Sequence, residues 1–168
     1  MITREGLEAF SAEIDGQKAE MIDKLLAFFM TDMMFFWGEE KGLVERQQAV
    51  WNPLLQWAEE EFETKFVKVN GLNVPEQDLQ SGARIKFFME GLSSRELTVF
   101  YFTTYVTKSV LLAAAFVRKH VNAEQVFEAA SLEEVWQQAT WGIDDAIERN
   151  HKELKEDLGV LEAFLDGN

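Results

Sequence analysis

"LTVFYFTTYVTKSVLLAAAFV" runs from Leu97 to Val117, 21 residues interrupted by one charge, Lys108. It is long enough to cross a bilayer, which takes about 20 apolar residues. Its composition argues otherwise. Thr98, Thr103, Thr104, Thr107, Lys108 and Ser109 are polar, and a central lysine alone costs roughly 2.5–3.5 kcal/mol in a membrane. The flanks "SSRE" and "RKHVNAEQ" are hydrophilic and no second span exists. A helix that is apolar on most sides in such a chain is the central helix of a bundle. The stretch is therefore expected as one buried helix, and membrane insertion is not expected.

The surrounding chain repeats the helical period. Met21, Ile22, Leu25, Leu26, Phe29 and Met33 recur at threes and fours, and "DG" at Asp15–Gly16 separates them from a short first helix. A further helix begins near Leu43, which Pro53 should bend or restart with Asn52 as cap. "TKFVKVNGLNVPEQ" changes character and reads as a loop with room for one short strand near Phe66–Val69. A helix from about Gln77 to Glu90 should end at Gly91. Ser93 with Glu96, and Asn122 with Gln125, have the spacing of capping boxes. The last helix carries Ile143, Ile147, His151, Leu154, Leu158, Leu161 and Leu165 as one apolar stripe. The expectation is an all-α, single-domain bundle of about six or seven helices over residues 1–168.

Composition narrows function. The chain holds 16 basic and 30 acidic residues, a formal charge of -14. Such a field repels phosphate backbones and anionic lipid, so nucleic acid is not an expected partner, whereas basic partners are drawn in. With no cysteine, disulfide scaffolds and thiolate metal sites are excluded. The start "MITREGLEAFSAE" lacks the basic-then-apolar order of a signal peptide. A bacterial cytoplasm, or a mitochondrial matrix in a eukaryote, is the expected location.

Enzymatic patterns are sparse. "ERNH" places Glu148 and His151 as the Glu-x-x-His of di-iron bundles, but such sites need that motif twice. His151 also lies on the apolar stripe, so a core histidine is the stronger reading. There is no Gly-x-Ser-x-Gly and no Gly-rich phosphate loop, and acidic pairs such as Asp144–Asp145 are usually solvated helix faces. Lys108 should snorkel to a rim or pair with a carboxylate. Five tryptophans, at 37, 51, 57, 136 and 141, suggest a binding surface, since Trp is enriched at interface hot spots. The residues alone indicate an acidic helical domain that binds protein. No catalytic residue, metal or cofactor is expected.

Two motifs sharpen this. "LVERQQAVWNPLLQWAEEEF" (Leu43–Phe62) resembles the Leu-Val-x-x-Gln-x-x-x-Trp-x-Pro-Leu-Leu-x-Trp-Ala-Glu segment of the Atp12 family, assembly chaperones for the catalytic F1 sector of ATP synthase. "SLEEVWQQATWG" (Ser131–Gly142) resembles that family's Leu-Glu-Glu-x-aromatic-Gln followed by Trp-Gly. "TDMMFF" (Thr31–Phe36), "TKSVLLAAAF" and "HVNAEQVFEAAS" are similar to further family segments in the same order. The resemblance implies a non-enzymatic chaperone that binds the free ATP synthase alpha subunit until beta joins. It also implies partner contacts at Glu133, Glu134, Gln137, Trp141 and Asp145. After Trp-Gly the family often has Glu-x-Ala-His-Asp, where this chain has "IDDAIER". "MITR" resembles the point where the family's β-rich N-terminal domain has ended, so this is expected to be the helical domain alone. A di-iron-like metal-binding bundle, or a helical scaffold for another partner, is the alternative.

Overall fold

The structure, a computed structural model, describes residues 1–167. Eight α-helices follow one another: α1 (Arg4–Glu13), α2 (Lys18–Met30), α3 (Lys41–Glu61), α4 (Leu79–Glu90), α5 (Ser94–Thr107), α6 (Val110–Val117), α7 (Ala123–Trp141) and α8 (Asp145–Leu165). A two-residue strand β1 (Phe36–Trp37) pairs in parallel with β2 (Val69–Asn70), in the register Phe36↔Val69 and Trp37↔Asn70. The expected helical bundle is what the chain forms. The short strand lies at the end of its expected span, and its partner at 36–37 was not foreseen. No described helix is long and apolar enough to cross a membrane.

The decisive stretch is two helices rather than one. Lys108 ends α5 in the left-handed region (φ 64°), a conformation that costs a non-glycine residue on the order of 1 kcal/mol. What offsets that cost is the next turn. Ser109 caps α6, its Oγ accepting the Leu112 N–H at 3.0 Å. The Ser109 hydroxyl donates to Asp32 Oδ1 at 2.8 Å, and the Leu111 N–H donates to Asp32 Oδ2 at 2.9 Å. Asp32 also accepts from the Met34 N–H at 3.0 Å, and the Met33 N–H donates to the Lys108 carbonyl at 3.0 Å. A fully buried carboxylate thus ties the end of α2 to the break between α5 and α6. The Lys108 ammonium stands exposed, 5.8 Å above the Phe28 ring. It snorkels, as the stem-and-head chemistry of lysine allows.

The polar residues of this stretch are accommodated locally, except for the buried Thr103 hydroxyl, which has no partner among the described residues. Thr98, Thr104 and Thr107 donate to the carbonyls of Ser94, Phe100 and Thr103, one turn back. All eight residues of α6 are buried, and α6 packs against α2, α3, α5 and α7. Each fully buried Leu or Phe here contributes roughly 1.5–3 kcal/mol.

Pro53 neither breaks nor restarts α3, which runs through it. The proline faces solvent, where water can satisfy the freed carbonyl, while Trp51, Leu54 and Leu55 on the other side are buried. Gln47, also buried, accepts the Gly38 N–H at 3.1 Å. A Cβ at Gly38 would stand 2.4 Å from the Leu43 side chain, so any larger residue at this turn would push that buried leucine aside. Both capping boxes form, at Ser93–Glu96 and Asn122–Gln125. Helix α4 starts two residues later than expected because Asp78 caps it, accepting the Gln80 N–H at 2.9 Å.

Burial pushes the Asp32 carboxyl up to about 6, against the hydrogen bonds that pull it down. The folded state therefore holds this proton at a pH where the unfolded chain has lost it. The resulting stabilisation is complete below about 3.8 and is lost as pH rises through about 6. Asp32→Asn removes that titration. The stability gap between wild type and Asp32→Asn, from urea unfolding, should narrow by on the order of 1 kcal/mol between pH 5 and pH 7.5. A gap that widens over that range contradicts the assignment. Asp32→Ala, which strands three buried donors, should cost about 2–4 kcal/mol at pH 7.

Candidate functional site

Helix α7 changes character along its length. Its first half is anchored: Val126, Ala129, Ser131 and Leu132 are buried, and the Trp51 indole donates to the Ala129 carbonyl at 3.0 Å. Trp136 continues that contact, lying against Gly42 at the start of α3, where a Cβ would meet its Nε1 at 3.2 Å. Beyond Leu132 the opposite face is open. Glu133, Gln137 and Trp141 are exposed at i, i+4 and i+8, one row on one helix face. Glu134 lies beside that row and is half exposed. Gly142 then ends the helix at φ 101°, a backbone that favours glycine. Asp144 caps α8, accepting the Ala146 N–H at 2.8 Å, which leaves Asp145 exposed in its first turn.

The five expected contact residues are all solvent-accessible, on the last two turns of α7 and the first of α8. Sequence reasoning missed two neighbours. Ile143, expected on the buried stripe of α8, is 71% exposed because it sits between Gly142 and the cap, outside the helical register. Val135 is also exposed, and Trp141 is 79% exposed. The stripe itself holds further along, where Leu158 and Leu161 are buried and Leu154 is half-buried. Trp141 and Ile143 therefore stand exposed on an acidic stretch of chain, whereas Val135 lies on another side of α7 beside Arg46 and Lys155. From Val121 to Glu148 the chain has seven carboxylates (Glu124, Glu128, Glu133, Glu134, Asp144, Asp145 and Glu148) and no lysine, arginine or histidine. The first basic residue is Arg149.

Of the Glu148–His151 pair, His151 turns away from metal chemistry. Its Nε2 is 3.3 Å from Glu134 Oε1 across the α7–α8 contact, and its ring meets Phe127 edge-on at 5.7 Å. Among the described residues no group of three or more carboxylate or imidazole side chains gathers closely enough to hold a metal ion. The other histidine, His120, stacks on Trp57 at 5.0 Å.

A second open apolar surface lies on α4. Leu79, Ala83 and Phe87 are exposed at i, i+4 and i+8, beside a groove of about 640 Å³. Its rims are closed ion pairs, Arg84–Glu63 at 2.9 Å and Arg118–Glu61 at 3.7 Å. The charges of that groove are paired across its rims, whereas Glu133 and Asp145 at the α7–α8 surface form no described ion pair.

Known proteins share both this fold and parts of the sequence. The profile of the ATP12 chaperone protein family matches residues 4–59, which span α1 to α3. Mitochondrial Atp12 of Schizosaccharomyces pombe is 24% identical over 150 residues, 84% of this chain and 52% of that protein. The crystal structure of Atp12 from Paracoccus denitrificans superposes with a TM-score of 0.87 at 21% identity, covering 92% of this chain and 66% of that one. The similarity to the ATP12 family thus lies in the profile match over the first third of the chain, and the fold is shared over nearly all of it. A structure from Agrobacterium tumefaciens has the same fold, with a TM-score of 0.82 at 24% identity over 92% of this chain and 58% of that one. The chain spans about half the length of its curated fission-yeast relative. The family profile ends in α3, so the α7–α8 surface rests on its own geometry.

Exposed positions and core positions should separate cleanly in thermal or urea unfolding. Glu133→Lys and Trp141→Ala should leave stability within about 0.5 kcal/mol of wild type. Leu158→Ala, on the buried face of α8, should cost about 2–5 kcal/mol. A Trp141→Ala loss as large as that of Leu158→Ala would mean the tryptophan packs rather than presents.

Proposed function

We propose that this chain is a non-catalytic assembly chaperone for the F1 sector of ATP synthase. It holds the free alpha subunit through the exposed end of α7 and the start of α8 until the beta subunit joins. The profile match over residues 4–59 and the fold shared with solved Atp12 support the chaperone class. The observation that carries the site is the pairing of exposed Trp141 and Ile143 with the carboxylates Glu133, Glu134, Asp144 and Asp145 on the adjoining turns. An apolar centre excludes water and supplies affinity, while the acids select a basic or apolar strip and raise the encounter rate. A subunit awaiting its neighbour presents such a strip. Binding there covers surface that would otherwise aggregate, and it requires no nucleotide or metal.

Co-expression with alpha and, separately, beta from the same organism, followed by size-exclusion chromatography at moderate salt, tests this. A one-to-one complex with alpha alone is expected. Glu134→Lys and Trp141→Ala should each weaken it by at least tenfold, the scale of an interface hot spot. Raising the salt should weaken it further, since the acids act through a screened field. Retention of full affinity by both variants would remove the α7–α8 surface from the reading.

A further inference from the structure

Glu134 is held by a titratable neighbour, whereas Glu133 and Asp145 stand open to solvent without a described side-chain partner. His151 Nε2 lies 3.3 Å from Glu134 Oε1. The imidazole is 13% exposed and the carboxylate 48%. The ring cannot swing away freely, because Phe127 packs against it. With Glu134 ionised, a lone pair on Nε2 would face a lone pair on Oε1, so Nε2 must carry a hydrogen and donate it.

We propose that His151 is the positioning residue for Glu134 at the partner surface, orienting the carboxylate while neutral and competing for it when protonated. This rests on the α7–α8 surface being where the partner binds. In the neutral state one Oε is fixed by a hydrogen bond and the other remains open to an incoming lysine or arginine, with less rotamer freedom left to lose on binding. Protonation turns the same contact into an ion pair, and the carboxylate's charge is then already answered. Histidine is the side chain that makes this change near neutral pH.

The charged surroundings are few. Glu134 is the group facing the ring from α7. Along α8, Asp145, Glu148, Arg149 and Lys152 line the same groove, and Lys155 lies over the Phe127 ring. The other segments packed on α8 meet it further along. The chain start contacts Glu153 and Asp157, and Arg95 of α5 reaches the Phe164 carbonyl.

The test measures binding of the full chain to the alpha subunit at pH 8 and pH 6 at constant ionic strength. Wild type, His151→Gln and Glu134→Gln are compared. The glutamine amide at 151 can still donate a hydrogen bond but cannot become charged. Each protein's affinity at pH 8 is its own reference. On going to pH 6, wild type should weaken roughly threefold to fivefold more than His151→Gln, the range of a partly exposed ion pair. Glu134→Gln should show no such excess. Other groups that titrate, on either protein, shift all three alike. Parallel pH profiles for wild type and His151→Gln would overturn the proposal. If wild type binds alpha at neither pH, the proposed function fails, and a double-mutant cycle on unfolding of the chain alone decides the rest. Coupling between residues 134 and 151 that grows from pH 8 to pH 6 sustains the contact, and absence of coupling at both overturns it.

Discussion

The Asp32 carboxylate is the constraint on which the bundle depends. It joins segments 77 residues apart, accepting the Ser109 hydroxyl and the Leu111 N–H in the interior. Without it, the 21-residue apolar stretch has no reason to break at Lys108, and one straight helix would carry Lys108 and Ser109 into the core. With it, α6 turns away from α5 as a separate, wholly buried helix against which α2, α3 and α7 all pack. The negative charge also sits at the N-terminal end of α6, where the helix dipole favours it. The arrangement is costly to ionise, as the raised carboxyl shows, and it persists because three donors are satisfied at once.

A rigid core of this kind lets the surface specialise. Helix α7 is pinned to α3 by Trp51 and Trp136 and packs on α8, so its exposed face is held in place. The chain concentrates carboxylates there and leaves tryptophan and isoleucine uncovered among them. Exposed apolar side chains in a strongly charged setting remain soluble yet can be desolvated by a partner. The α4 groove has the apolar half of this chemistry, but its arginines are already paired with glutamates.

Much of this was legible in the sequence, and the failures share a cause. Capping boxes at Ser93 and Asn122 depend on residues three apart, so spacing alone revealed them. The central position of "VLLAAAF" followed from composition. What the sequence could not show were pairings across the fold. The split at Lys108 needs Asp32, and the strand partner at Phe36–Trp37 needs Val69–Asn70. The uninterrupted α3 needs the packing of Trp51, Leu54 and Leu55 on the side away from Pro53. At the site, the row Glu133, Gln137, Trp141 obeys helical spacing and could be read. Ile143 could not be placed by periodicity, because Gly142 resets the register before α8. Nor could Glu134–His151 be found, since the Glu148–His151 spacing suggested a different partner.

The most direct measurement of the central claim is hydrogen–deuterium exchange on the chain with and without the alpha subunit. Slowed exchange is expected on the end of α7 and the start of α8, concentrated between residues 133 and 148. Protection confined to α4, residues 79–91, would contradict this and move the binding surface to the groove there.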